Sequence, residues 1–111
     1  MDIYFKRKKL QKICSEKKIA VKELGAKRAQ KLMQRMMELS AAESLLDISI
    51  SPPVRCHELS GDRKGQLSVD LGHPYRLLFI PADDQVPKKN DGGLDRTAIS
   101  SIEIIEIADT H

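Results

Sequence analysis

Val54-Arg55-Cys56-His57-Glu58-Leu59, then Leu67-Ser68-Val69-Asp70-Leu71, then Tyr75-Arg76-Leu77-Leu78-Phe79-Ile80 form the stretch whose reading decides the fold. In each run side chains alternate. Val54 and Cys56 oppose Arg55 and His57, and Leu67, Val69 and Leu71 stand opposite Ser68 and Asp70, the period of a strand with one face on a core. Ser60-Gly61-Asp62 breaks the first run from the second, and Gly72-His73-Pro74 the second from the third, both with turn-forming residues. The last two runs make a hairpin with a compact loop.

Outward toward the C-terminus, residues 81–97 carry Pro81, Pro87 and the Gly92-Gly93 pair among aspartates and read as a long mobile loop. Ile99 to Ala108 is apolar and β-branched with Glu103 and Glu106 interspersed, which suits a largely buried final strand.

Toward the N-terminus the period changes from two to about 3.6. Leu10, Ile13 and Cys14 recur at helical spacing behind a short β-prone start, Ile3-Tyr4-Phe5. From Lys17 to Leu39, Val21, Leu24, Ala29, Leu32, Met33, Met36 and Leu39 fall near one stripe, predicting a long amphipathic helix that Gly25 weakens by up to about 1 kcal/mol and can tilt or break. Ser40 is read as the cap of a short turn over Ala41 to Asp47, and Ser51-Pro52-Pro53 ends the helical half. The order β, α, α, then an antiparallel meander predicts an α+β sandwich in one domain, residues 1–111, with the helices on one face of an antiparallel sheet.

Composition narrows the function. Cys14 and Cys56 lie far apart with no paired spacing, so neither a disulfide framework nor a zinc cluster is expected, and a reduced cytoplasmic setting fits. No apolar run approaches the roughly 20 residues of a membrane span, and Met1 to Leu10 lacks a signal-peptide core. The net charge of +3 conceals an asymmetry: residues 1–40 hold twelve Lys or Arg against four acids, net +8, and the remainder is net −5. A basic face attracts nucleic-acid phosphate by counterion release, although lysines on a helix also serve simply to solubilise it.

The motifs carry more. Cys56-His57-Glu58-Leu59-Ser60-Gly61-Asp62-Arg63-Lys64-Gly65-Gln66-Leu67-Ser68-Val69, His73-Pro74-Tyr75-Arg76-Leu77-Leu78-Phe79 and the ending Asp109-Thr110-His111 together resemble the signature of HigB-type toxins of the RelE/ParE superfamily, over essentially the whole chain. The resemblance implies a RelE-like microbial ribonuclease sandwich. It further implies a ribosome-dependent messenger-RNA endonuclease of a type II toxin–antitoxin system, working without metal or other cofactor. Its implied partners are the ribosome, messenger RNA and a cognate helix-turn-helix antitoxin, with operator DNA reached only through the antitoxin complex.

By the same resemblance His57, Asp109 and His111 take the positions of the catalytic His, Asp and His, and Arg76 that of a strand arginine. The chemistry fits these types: cleavage through the 2′-hydroxyl needs a base, an acid and cations for the phosphorane charge. Histidine titrates near neutrality, and the guanidinium fork of Arg76 suits a phosphate. Arg55, on the His57 face, and the turn residues Arg63 and Lys64 are expected to hold RNA or ribosomal backbone. A last strand pairing beside this sheet would bring His111 near His57. The bland alternative for the cations is a set of surface ion pairs with Glu58, Asp62 and Asp70.

Two positions depart from the pattern. Leu67 stands where the family has an aromatic residue and is expected to pack in the sheet; Thr110, placed with the RNA-contacting residues, stands where the family has tyrosine and loses stacking and reach. Two other functions therefore stay open: a non-enzymatic gyrase inhibitor like ParE, which has no need of two histidines in one cleft, and an attenuated relative that acts as an antitoxin-binding or DNA-binding component.

Overall fold

Alternation and helical periodicity resolve into five strands and three helices in a computed structural model that describes residues 1–109; Thr110 and His111 lie outside the described residues. Strand β1 (Asp2–Phe5) precedes α1 (Lys8–Ser15), α2 (Lys17–Leu24) and α3 (Ala26–Ala41), and β2 (His57–Glu58), β3 (Leu67–Asp70), β4 (Tyr75–Pro81) and β5 (Ser101–Asp109) complete the sheet. The strand order is β1-β5-β4-β3-β2. The expected α+β sandwich is present, but its sheet is mixed: β1 runs parallel to β5, whereas the other neighbours are antiparallel. The parallel pair joins strands far apart in the chain, with the three helices and the β2–β4 meander lying between β1 and β5, the long connection a parallel pair needs.

The long helix expected over residues 17–39 is two helices. Gly25 ends α2, donating its N–H to the Val21 carbonyl, and stands before α3 with φ 85° and ψ 163°, a region only glycine occupies readily. The turn after α3 also shifts: α3 runs on to Ala41, and Ser44, not Ser40, caps the 3-10 turn Leu45–Asp47 through its Oγ, which accepts from the Leu46 N–H at 3.3 Å.

One apolar cluster joins helix and sheet. Leu10, Ile13 and Cys14 of α1, Ala20 of α2 and Ala29, Leu32 and Leu39 of α3 pack with Leu67, Val69, Leu77, Phe79, Ile102 and Ile104. These strand residues share one face, so all three helices cover that face. Arg35 is buried within α3, donating from Nε to the Asp70 carbonyl at 2.9 Å, from Nη1 to Glu38 Oε1 at 3.0 Å and from Nη2 to the Pro53 carbonyl at 3.3 Å. A hydrogen bond from each of its three nitrogens is what permits a guanidinium there.

The segment expected to be mobile, residues 81–97, is tied down twice. Lys88 bridges Leu94, which is buried, and Arg96 donates to the carbonyls of Ile48 (3.0 Å), Leu45 (3.2 Å) and Cys56 (3.4 Å). Arg96 thereby joins the loop to the backbone immediately before His57. Among the described residues no helix is long and apolar enough to cross a membrane.

Candidate functional site

The opposite sheet face is read from the register, because residues paired across strands stand on the same side. His57 pairs with Ser68, Ser68 with Leu78, and Leu78 with Glu106. One row therefore runs His57, Ser68, Leu78, Glu106. Two residues along, Asp70 pairs with Arg76 and Arg76 with Ala108, and the Asp70 N–H donates to the Val54 carbonyl, bringing in Arg55. Ser68, Leu78 and Ala108 are buried, yet Leu78 and Ala108 stand apart from the helix-side cluster. They form a floor on the side without helices, with His57, Arg55, Asp70, Arg76 and Glu106 beside it.

Side chains tie the two rows together. Asp70 bridges two arginines, with Oδ2 at 3.7 Å from Arg55 Nη1 and Oδ1 at 3.5 Å from Arg76 Nε. Asp70 engages Arg76 through Nε and not through its two Nη groups, the pair that can grip a phosphate in two places. Arg63, from the 3-10 turn Gly61–Arg63, donates from Nη1 to Gln66 Oε1 at 3.3 Å and to Glu106 Oε1 at 3.2 Å. Its guanidinium thus links the residue before β3 to β5 on the face where Leu78 is buried. Lys64 is exposed at the end of the same turn, its N–H donating to the Gly61 carbonyl.

Of the expected site residues, Arg55, His57, Arg63 and Arg76 come to this face. The alternative of surface ion pairs holds in part: Asp70 pairs with Arg55 and Arg76, and Arg63 pairs with Glu106. Asp109 is elsewhere. It pairs with Tyr75 and follows Ala108, which places it on the helix-side face, where Arg28 stacks on the Tyr75 ring at 4.2 Å. The last strand does join this sheet, paired with β4, but β3 and β4 stand between it and β2, so β5 is about 14 Å from β2 at ordinary strand spacing. Thr110 and His111, expected at this site, lie outside the described residues.

Asp70, Ser68 and Glu106 were missed as site residues, although the parity of Leu67 and Val69 already assigned Ser68 and Asp70 to the His57 side. Cys56, next to His57, offers no thiolate nucleophile: burial raises its pKa, against a smaller lowering by the Arg96 charge. Burial likewise pushes the Cys14 thiol up to about 12. Among the described residues no group of three His, Cys, Asp or Glu side chains is placed to hold a metal ion. A separate groove of about 730 Å³, lined by Lys27, Arg28, Lys31, Gly72 and His73, lies between the α2–α3 junction and the β3–β4 turn, away from His57.

No family model matches the chain, and no curated protein matches it significantly in sequence. Solved structures do match in shape. The YoeB/ParE toxin from Agrobacterium tumefaciens superposes with a TM-score of 0.57 at 11% identity, covering 100% of both chains. The YoeB–YefM complex and the YoeB dimer from Staphylococcus aureus each give 0.55 at 14% identity, covering 100% of this chain and 97% of theirs. Helices and mixed sheet thus correspond over the whole length, and the chain has the fold of the YoeB/ParE toxins.

Proposed function

We propose that this protein is the toxin of a type II toxin–antitoxin pair of the HigB kind, a ribosome-dependent endoribonuclease that cuts messenger RNA in the cytoplasm without a metal. The observation that carries the reading is the gathering of His57, Arg55, Arg63 and Arg76 on the one sheet face that no helix covers. In the proposed reaction His57 accepts the proton of a ribose 2′-hydroxyl as the 2′-oxygen bonds to phosphorus. The P–O5′ bond breaks, the departing 5′-oxygen takes a proton from the acid, assigned to His111 by resemblance, and the products end in a 2′,3′-cyclic phosphate and a 5′-hydroxyl. Arg76 meets the charge that builds on the phosphorane oxygens. Arg55, Arg63, Lys64 and Thr110 hold RNA or ribosomal backbone. The YoeB–YefM complex among the structural neighbours supports an antitoxin as partner, here one with a helix-turn-helix domain.

Asp109 favours keeping a second reading, since it falls on the face opposite His57 and Arg76. A ParE-like inhibitor that binds gyrase needs no such convergence. Induced expression decides between them: His57→Ala and Arg76→Ala each abolish growth arrest and message cleavage while the protein stays folded. Arrest that persists in the double variant, or inhibited supercoiling with intact translation, would overturn the ribonuclease reading.

A further inference from the structure

The Ser68 hydroxyl has no hydrogen-bond partner although its side chain is wholly buried. An orphaned buried hydroxyl is costly, so each one calls for a reason. Ser68 belongs to the free-face row, directly across from His57. Sealed from water, its Oγ is closed to a ligand and can be met only by a side chain already beside it. Alternation along the strand and pairing across it give four such neighbours: Gln66, Asp70, Leu78 and His57. Leu78 is apolar. Gln66 is held through Oε1 by Arg63 and both Asp70 oxygens face arginines, and neither residue bonds the Ser68 hydroxyl. His57, directly across the ladder, is an exposed imidazole on a strand only two residues long.

We infer that Ser68 is the positioning residue for His57: when RNA engages the face, the imidazole closes onto Ser68 and Nδ1–H donates to Oγ. This rests on the ribonuclease reading above. Paired side chains at this spacing have Cβ atoms about 4.5–5.5 Å apart, within reach of such a bond after one rotamer change of His57. With its proton held at Nδ1, the neutral ring presents the Nε2 lone pair, the form that takes the 2′-hydroxyl proton. The resulting imidazolium keeps the same Nδ1–H bond to Oγ. The unpaired hydroxyl is thus an acceptor left vacant until the base is in place, and its cost is carried by the free state.

The test is single-turnover cleavage of ribosome-bound message by the full chain and by Ser68→Ala, Ser68→Thr and Ser68→Val. Thr and Val match in shape and differ in the hydroxyl, so that pair isolates the acceptor even where Ala perturbs packing. The expected result is a maximal rate about three- to tenfold lower for Ala and Val with half-saturation unchanged, recovery with Thr, and no loss of thermal stability in Ala. Equal rates for Thr and Val, or wild-type rates in Ala, overturn the inference while leaving the ribonuclease reading intact. A wild-type chain that cuts no message fails the reading itself and takes this inference with it.

Discussion

Asp70→Asn should tighten the hold of this face on RNA. The carboxylate sits between Arg55 and Arg76 at 3.7 and 3.5 Å, so any phosphate gripped by the Nη groups of Arg76 meets a fixed negative charge. At a separation on the order of 7 Å and an effective dielectric of about 20, that repulsion is about 2 kcal/mol, and roughly 1 kcal/mol once physiological salt screens it. Removing the charge therefore lowers Kd about fivefold. Stability changes little, because these pairs are partly exposed and such pairs contribute about 0–1 kcal/mol. Fluorescence anisotropy of a labelled single-stranded RNA across a salt series measures the effect. Arg76→Ala is the opposing control, weakening binding and reducing the salt slope by about 0.7. An Asp70→Asn protein that binds RNA no better, or worse, would refute the idea that Asp70 competes with phosphate for the two arginines.

Arg35→Ala removes a buried cation and strands the Asp70 and Pro53 carbonyls, so urea unfolding should show a loss of about 3 kcal/mol; less than 1 would mean that water replaces the guanidinium. Gly25→Ala meets no atom within 4 Å yet forces an L-residue to φ 85°, and a loss of about 1–3 kcal/mol by thermal denaturation is expected from backbone strain alone. Alkaline stability tests Cys14, whose thiol pKa is raised by burial from 9.0 to about 12. The native state keeps that proton when the unfolded chain has lost it, so stability is fully present below pH 9.0 and falls between there and about pH 12. The slope is about 1.4 kcal/mol per pH unit in the limit, and Cys14→Ala, less stable at pH 7, should flatten it.

The sequence announced the sandwich because its two periods are unambiguous: Leu67, Val69 and Leu71 cannot share a helix face, and Leu32, Met36 and Leu39 cannot share a strand face. The partners of the arginines were not legible. Arg35 and Arg96 carry no motif in the sequence, yet each is spent on backbone carbonyls from segments far off in sequence. Nothing local to an arginine says which carbonyls a distant turn will bring to it. Arg63 illustrates the same limit, since its partner, Glu106, is 43 residues away.

The placement of Asp109 has a more particular cause. Plain alternation from Ile102 and Ile104 would carry Glu106 and Ala108 onto the core face and Ile107 and Asp109 onto the free one. Instead Leu78 pairs with Glu106 and Phe79 with Ile104, so Ile105 is the extra residue of a β-bulge. Each side chain beyond it changes face. Ile107 turns toward the helices, where it packs against the core, and Glu106 is spared burial and reaches Arg63. The adjacent isoleucines at 104 and 105 are the trace of this in the sequence, since two neighbouring apolar residues cannot both follow a period of two. The same slip carries Asp109 to the side of Tyr75. The bulge that builds the Arg63–Glu106 edge of the candidate site is thus also what separates Asp109 from His57, and the two arrangements cannot be had together in this register.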